Sequence, residues 1–414
     1  MMKTIIVRYA EIALKGENRR DFERKLAKNI QRTLGLPRNR VQIQRDQILL
    51  HIEPERIEEA KAGLRKVFGV AWFAEVARTA NDLNAIRETV YEVAGHLLGP
   101  QTSFALRTRR SNKHLPFTSR DINLQVGADL QQRTGAPVDL TTPDVEIHIA
   151  VKSRNTFIYA ARIDGPGGLP VGTNGRVLSL LSGGFDSIAS SYLLAKRGAA
   201  VDFLHFHVFP TKDGVMRTKM PGLWQTLSEH TLSHSVYLAN YAPFQMAVLD
   251  LPMRLQKYEL VTFRRAMVRV GEKLAERLGY DALVLGDSLG QVASQTMENI
   301  SAVDRAVEIP IFRPLIGMDK VEVVDLVRGI GLEEAAAAPY KDCCSIIARH
   351  PATRAHLDRV QEIEERIDIE RIVEEMAATV ERVPARAGVV LPEDGADGPS
   401  RPPRTTPKFI VDEL

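Results

Sequence analysis

Ser182-Gly183-Gly184-Phe185-Asp186-Ser187 stands between an apolar run, Val177-Leu178-Ser179-Leu180-Leu181, and a helix-forming segment, Ile188 to Arg197. The run is apolar enough to be a strand buried on both faces of a parallel sheet. Strand, glycine-rich turn and helix in that order set backbone N–H groups at a helix N-terminus, where the dipole also favours negative charge. A Cβ in the turn would keep phosphate oxygens away from the backbone. The stretch reads as a phosphate-binding loop. The alternative is a plain strand-to-helix turn capped by Asp186.

The commoner nucleotide loops, Gly-x-x-x-x-Gly-Lys-Ser/Thr and Gly-x-Gly-x-x-Gly with a later acid, are absent. Ser-Gly-Gly-x-Asp-Ser after a strand instead resembles the PP-loop of ATP pyrophosphatases, which split ATP between the α and β phosphates and adenylate their substrate. Strands expected at 201–207, 235–239 and 282–285 alternate with helices, one of them near 255–278, as in a doubly wound parallel sheet. Gly286-Asp287-Ser288-Leu289-Gly290-Gln291 again sets a glycine at the C-terminal end of a strand. Ligands of open α/β sheets bind at that edge, so this second turn is expected to face the same nucleotide. A helix near 354–378 has an acidic stretch, Glu362 to Glu375, read as a solvated face. From Pro384 the chain is rich in Pro, Gly and charge, and a disordered tail is expected there.

Ahead of the loop, strands at 4–9, 41–44, 48–52 and 71–76 with helices at 18–34 and 55–67 give the order βαββαβ of a ferredoxin-like domain. Asn18 is the candidate cap of the first helix. A helix at 82–98, a strand at 103–107, a helix at 119–132 and strands at 145–152 and 156–163 form a next unit. It carries the basic run Arg107-Thr108-Arg109-Arg110-Ser111-Asn112-Lys113-His114, suited to phosphate contacts rather than base reading. A solvated edge strand would have the same charges. Gly165-Pro166-Gly167-Gly168-Leu169-Pro170 is a linker by composition.

The 414 residues suffice for two or three domains, and 44% hydrophobic with 26% charged residues is ordinary for a globular protein. No run is long enough to span a bilayer and the N-terminus lacks a signal-peptide core, so no membrane association and a cytoplasmic location are expected. Residues 1–175 hold 27 Lys/Arg against 19 Asp/Glu, whereas the remainder holds 28 against 33. A basic front half points to a polyanionic partner. The two cysteines, Cys343 and Cys344, are neighbours. Their Cα atoms lie about 3.8 Å apart, too close for an unstrained disulfide. Nor do they form a Cys-x-x-Cys zinc pattern, and no metal-ligand set is expected.

Together these features resemble the tRNA 4-thiouridine synthase (tRNA uracil 4-sulfurtransferase) family. The resemblance is carried by Arg8 to Arg19, by Phe104 to Gly127, similar to a THUMP domain, by Gly286 to Thr296, by Arg313 to Lys320, and by Tyr340-Lys341-Asp342-Cys343-Cys344. It implies an α/β chain with a ferredoxin-like (α+β) domain at 1–77, a THUMP domain at 78–165, a linker at 166–175, a PP-loop domain at 176–383 and a tail at 384–414. Carried position by position, it implies ATP contacts at Leu180, Leu181, Ser182, Gly183, Gly184, Asp186, Ser187, His205, Phe206, Arg264, Gly286 and Gln295, with Arg265 the alternative to Arg264. Arg107, Arg109, Arg110, Lys113 and Arg120 are the candidate tRNA contacts. Longer members carry a rhodanese domain with its own cysteine. Here no cysteine follows Cys344, so sulfur is expected from a cysteine desulfurase or a separate persulfide carrier.

The implied mechanism has uracil O4 attack the α-phosphate of ATP, with Asp186 acting on Mg²⁺ or as an electrostatic partner and Arg264 offsetting phosphate charge. A persulfide on Cys343 or Cys344 then attacks C4 and AMP leaves, with Lys341 and Arg349 expected to lower the thiol pKa. A different PP-loop ligase leaves the basic half and the cysteines unexplained, and an RNA-binding protein with a degenerate site leaves both glycine turns unexplained. Which cysteine carries sulfur, any role in thiamine thiazole synthesis, and whether the chain forms a homodimer stay open.

Overall fold

The structure, a computed structural model, describes residues 2–9, 11–14, 18–44, 46–111, 115–347 and 351–386. Lys113, Arg349 and the expected tail beyond residue 386 lie outside the described residues. The chain divides into two compact units, residues 1–170 and 171–414.

In the first unit β1 (Lys3–Arg8), α1 (Arg19–Leu34), β2 (Val41–Gln44), β3 (Gln47–Ile52), α2 (Ile57–Leu64) and β4 (Trp72–Thr79) follow the βαββαβ order. The strands pair antiparallel as β2-β3-β1-β4, the ferredoxin-like arrangement. Leu26, Ile30 and Leu34 recur every four residues on α1. With Ala60 and Leu64 of α2 they bury against Ile5, Val7, Leu50 and Phe73 of the sheet. Asn18 occupies the cap position of α1 but makes no side-chain cap bond, whereas Gly35 closes the helix at φ 61°.

The same sheet continues. After α3 (Leu83–Ala94), β5 (Phe104–Arg110), α4 (Ser119–Thr134), β6 (Val145–Val151), β7 (Thr156–Tyr159) and β8 (Ile163–Asp164), β7 pairs antiparallel with β4. One eight-stranded sheet results, ordered β2-β3-β1-β4-β7-β6-β5 with β8 beside β4. Two expectations are corrected here. The strand from 103 extends to Arg110, so the basic run begins inside the sheet, paired residue by residue with β6. The strand from 156 breaks after Tyr159, and Ile163 and Asp164 pair instead with Phe73 and Trp72. The glycine-rich stretch read as a linker is tied down: Gly165 and Gly167 donate to the carbonyls of Ala71 and Val70, and Gly172, Thr173 and Asn174 to that of Gly198.

The second unit runs β9 (Arg176–Leu180), α5 (Phe185–Lys196), β10 (Ala200–His207), α6 (Lys212–Met216), α7 (Met220–Thr231), β11 (Ser235–Asn240), α8 (Ala242–Ala247), α9 (Met253–Gln256), α10 (Glu259–Leu278) and β12 (Ala282–Val284). It continues with α11 (Met297–Asp304), β13 (Ile311–Phe312), α12 (Lys320–Gly329), α13 (Glu333–Ala337), α14 (Cys343–Ile346), α15 (Leu357–Arg366), α16 (Ile369–Ala378) and β14 (Glu381–Pro384). The sheet order is β13-β12-β9-β10-β11-β14, parallel except for β14. This is the doubly wound class, with β9 central and its phosphate loop at the C-terminal edge.

The single acidic helix expected near 354–378 is two, broken where Asp368 takes φ 53°. Its acidic face is not wholly solvated either. Glu364 is buried and pairs with Arg265 at 2.6 Å and Arg269 at 2.7 Å. β13 and β14 fall outside the expected strands, and Pro384, the expected start of the tail, ends a strand. Among the described residues no helix is long and apolar enough to cross a membrane.

Candidate functional site

The loop after β9 is locked from within. Ser182 donates from both its N–H and its hydroxyl to Ser187 Oγ at 3.2 Å, and Ser187 Oγ donates to the Gly184 carbonyl at 3.1 Å. Gly183 turns the chain at φ 85°, and a Cβ there would meet Met220 Sδ at 2.5 Å. Gly184 leads into α5, so the amides of Phe185, Asp186 and Ser187 precede any helical carbonyl able to accept from them. That leaves an anion cradle at a helix start.

The second turn lies on the first. A Cβ on Gly286 would stand 2.7 Å from the backbone carbon of Asp186 and 2.9 Å from Ser187 N, so only glycine lets the two loops meet. The Asp186 carboxylate takes a hydrogen bond from Gln291 Nε2 at 3.0 Å and an ion pair from Lys320 Nζ at 2.7 Å. Asp287, 3% exposed, receives Arg264 at 2.6 Å and Arg313 at 2.8 Å. Arg264 also donates to the Ser294 carbonyl. Arg265 points to Glu364 and the Ala302 carbonyl. Of the two arginines of α10, Arg264 is therefore the one bonded to the second turn, through Asp287. Gln295 is buried there, and its Oε1 has no hydrogen-bond partner among the described residues. Such an acceptor is ready for a ligand donor.

Cys343 and Cys344 are free thiols at the start of α14. With Asp342, Phe206, Met267 and the loop residues Leu180, Leu181 and Ser182 they line one slot of about 40 Å³, room for water but not for a nucleotide. Burial pushes the Cys344 thiol up to about 12, with the Asp342 charge adding and Arg264 opposing. Cys343 is raised further by burial, its neighbouring thiol and Asp342. The expected lowering by Lys341 is thus corrected: burial decides the shift and Lys341 is not among its causes, while Arg349 lies outside the described residues. His205, fully buried, bonds the Leu181 carbonyl and the Tyr340 hydroxyl through its two ring nitrogens, both at 2.7 Å. Phe206 packs edge-on against Phe263. Among the described residues no group of three His, Cys, Asp or Glu could hold a metal ion.

In the first unit Arg107, Arg109 and Arg110 share a cavity of about 490 Å³ with Arg8, Trp72, His148, Lys152, Tyr159 and Arg162. Arg162 lies 4.7 Å from the Trp72 ring centre and 5.8 Å from that of Tyr159, and it donates to His148 Nδ1 at 3.1 Å. Burial and the Arg162 charge push His148 down to about 4, so it adds no charge of its own near neutral pH. Arg107 is partly committed to Glu146, and Arg110 to the carbonyls of Leu115 and Phe117. Arg120 is exposed at the start of α4 and does not line this cavity.

Sequence reasoning gave no individual role to Gln291, Asp287, Arg313, Lys320 or Tyr340, although all five lie in the motifs quoted above. It gave none to Trp72, Lys152, Tyr159 and Arg162 either, nor to Arg8, although Arg8 opens a quoted motif. These stand on or beside separate strands and make no local pattern.

Thiols set beside a phosphate turn of the ATP-pyrophosphatase type are what an enzyme needs if it activates a substrate and then thiolates it. The comparisons with known proteins agree. Residues 172–369 match the family described as thiamine biosynthesis protein (ThiI), residues 4–74 its ferredoxin-like domain and residues 80–161 the THUMP domain. A probable tRNA sulfurtransferase of Caldanaerobacter subterraneus subsp. tengcongensis is 36% identical over 90% of this chain and 98% of its own length. Another, of Geobacillus kaustophilus, is 34% identical over 89% and 92%. A crystal structure of a 4-thiouridine synthetase–RNA complex with bound ATP superposes with a TM-score of 0.84 at 30% identity, covering 93% of this chain and all of that one. The chain belongs to the tRNA sulfurtransferase family.

Proposed function

We propose that this enzyme uses ATP to replace O4 of a tRNA uridine with sulfur, giving 4-thiouridine by way of an adenylated uridine. The observation that carries this reading is the slot shared by Leu180, Leu181, Ser182, Cys343 and Cys344: the loop for the departing phosphates and the sulfur carriers face one space. Uracil O4 attacks the α-phosphate and pyrophosphate leaves, held by the amides of the Ser182–Ser187 turn, with Lys320 offsetting its charge. Arg264 holds Asp287 and with it the second turn, whose Gln295 Oε1 is free to accept from the nucleotide. A persulfide on Cys343 or Cys344 then attacks C4 with its terminal sulfur, and AMP leaves. The other thiol attacks the inner sulfur, releasing the thiolated base and leaving a strained Cys343–Cys344 disulfide that an external thiol readily reduces.

Mg²⁺ binds through one or two carboxylates and the substrate's phosphates rather than an all-protein cage. The Asp186 carboxylate fits that role, and the ion would offset phosphate charge. The persulfide sulfur would come from a cysteine desulfurase or a carrier protein, in keeping with a cytoplasmic location. The basic cavity of the first unit, with its exposed Arg109, supports phosphate contacts to tRNA there. The family's description as a thiamine biosynthesis protein is the ground for inferring a second role, as a sulfur carrier in forming the thiazole of thiamine.

The test is mass spectrometry of tRNA incubated with the protein, ATP, Mg²⁺ and a desulfurase. Thiolation at one uridine is expected. In Asp186→Ala both pyrophosphate release and thiolation should vanish while tRNA binding stays within about twofold. Thiolation retained by that variant would refute the reading.

A further inference from the structure

Sulfur delivery requires the cysteine segment to hold a fixed register against the phosphate loop, and side chains outside the loop make the contacts that could set it. A carbonyl oxygen only accepts, so His205 Nδ1 carries the ring hydrogen bonded to Leu181, and Nε2 accepts the Tyr340 O–H. Burial pushes His205 down to about 4, which keeps this neutral tautomer through the working pH range. The imidazole therefore has no nitrogen left for a nucleotide. Its ligands are the loop on one side and, on the other, a tyrosine three positions ahead of Cys343. A second anchor lies alongside. Lys219 Nζ donates to the carbonyls of Ala336 and Ala338 at 2.9 and 2.7 Å, while its Cε is 3.7 Å from where a Gly183 Cβ would stand. Leu181 is thus joined through His205 to the stretch that leads into Cys343, and Lys219, whose stem passes beside Gly183, bonds the carbonyls of that same stretch.

We propose that Tyr340 is a positioning residue for the sulfur-transfer half of the reaction: through His205 it hangs the cysteine segment on the phosphate loop, with Lys219 as the second tie. The inference rests on the sulfurtransferase reading above. Tyr340 touches no reacting atom. Loosening it disturbs the delivery of sulfur and leaves the activation of uridine intact.

Tyr340→Phe removes one oxygen and keeps the ring. Three rates separate the possibilities: tRNA-dependent pyrophosphate release without a sulfur donor, thiolation with one, and alkylation of Cys343 and Cys344 by iodoacetamide at fixed pH. Pyrophosphate release should stay within about twofold of wild type, thiolation should fall about tenfold, the value of one hydrogen bond, and alkylation should rise severalfold. Lys219→Met should raise alkylation likewise. Wild-type thiolation and alkylation rates in Tyr340→Phe would overturn the proposal, as would pyrophosphate release falling in step with thiolation. If the wild-type protein releases no pyrophosphate with tRNA, the sulfurtransferase reading fails instead. The alkylation comparison still decides whether Tyr340 holds the segment.

Discussion

Gly286 approaches Asp186 so closely that a Cβ on the glycine would lie 2.7 Å from the backbone carbon and 2.8 Å from the carbonyl oxygen of the aspartate. Both contacts are backbone, so no side chain can move aside. Gly286→Ala should push the second turn, with Asp287, Gln291 and Gln295, off the phosphate loop. A displacement near 1 Å at a reacting site costs on the order of a hundredfold in rate. Thiolation kinetics should therefore show a loss of that size in kcat/KM, with the denaturation midpoint little changed.

Burial keeps both thiols protonated well above neutral pH. With Cys344 near 12 through burial, its thiolate fraction at pH 8 is roughly a thousandfold below that of free cysteine. Iodoacetamide should label the resting protein about a thousand times more slowly than free cysteine, with the rate climbing tenfold per pH unit past pH 10. Following the labelling by mass spectrometry with ATP and tRNA added would show whether the working complex relieves that burial.

Glu364 anchors α15 to α10 through Arg265 and Arg269. Burial alone would raise its pKa, but the hydrogen bonds from the two arginines prevail and hold it below the ordinary 4.5. A carboxylate depressed in the folded state contributes fully above its unfolded pKa and loses that contribution as pH falls through the folded value. Stability should therefore decline below about pH 4.5. Glu364→Gln should cost about 3–5 kcal/mol at neutral pH, because two buried guanidinium groups lose their counter-charge. Urea titration at pH 7 and pH 4 would measure both effects, and the difference between the proteins should shrink in acid.

Arg109 is exposed on the wall of the basic cavity. If it meets a phosphate, Arg109→Ala should reduce the slope of log Kd for tRNA against log salt by about 1. Arg120, outside the cavity, should leave that slope unchanged when replaced by Ala. Filter binding across a salt series would separate the two.

What the sequence made legible were the features with local period or local chemistry. Phe22, Leu26, Ile30 and Leu34 announce α1, and Ser182–Ser187 announces the loop from six adjacent residues. Contacts between distant residues left no such mark. His205 and Tyr340 are 135 positions apart, and Asp186 and Lys320 are 134 apart. The break at Asp368 escaped notice because apolar residues continue at helical spacing on both sides and no Gly or Pro marks it. Cysteine acidity was misjudged for a related reason: a neighbouring lysine can be read from sequence, but the burial that outweighs it cannot.

β14 pairs antiparallel with β11, from Ser235–Pro384 to Leu238–Glu381, and so covers what would otherwise be the open side of that sheet. The matched family region stops at residue 369, twelve positions short of this strand. A chain ended after α16 would present a row of unsatisfied amides and carbonyls along β11, a template for pairing with another strand. The few residues after α16 therefore exchange a six-residue edge for one of four that carries Glu381 and Arg382 and ends in Pro384, the short, charged and proline-stopped kind that pairs poorly with another strand.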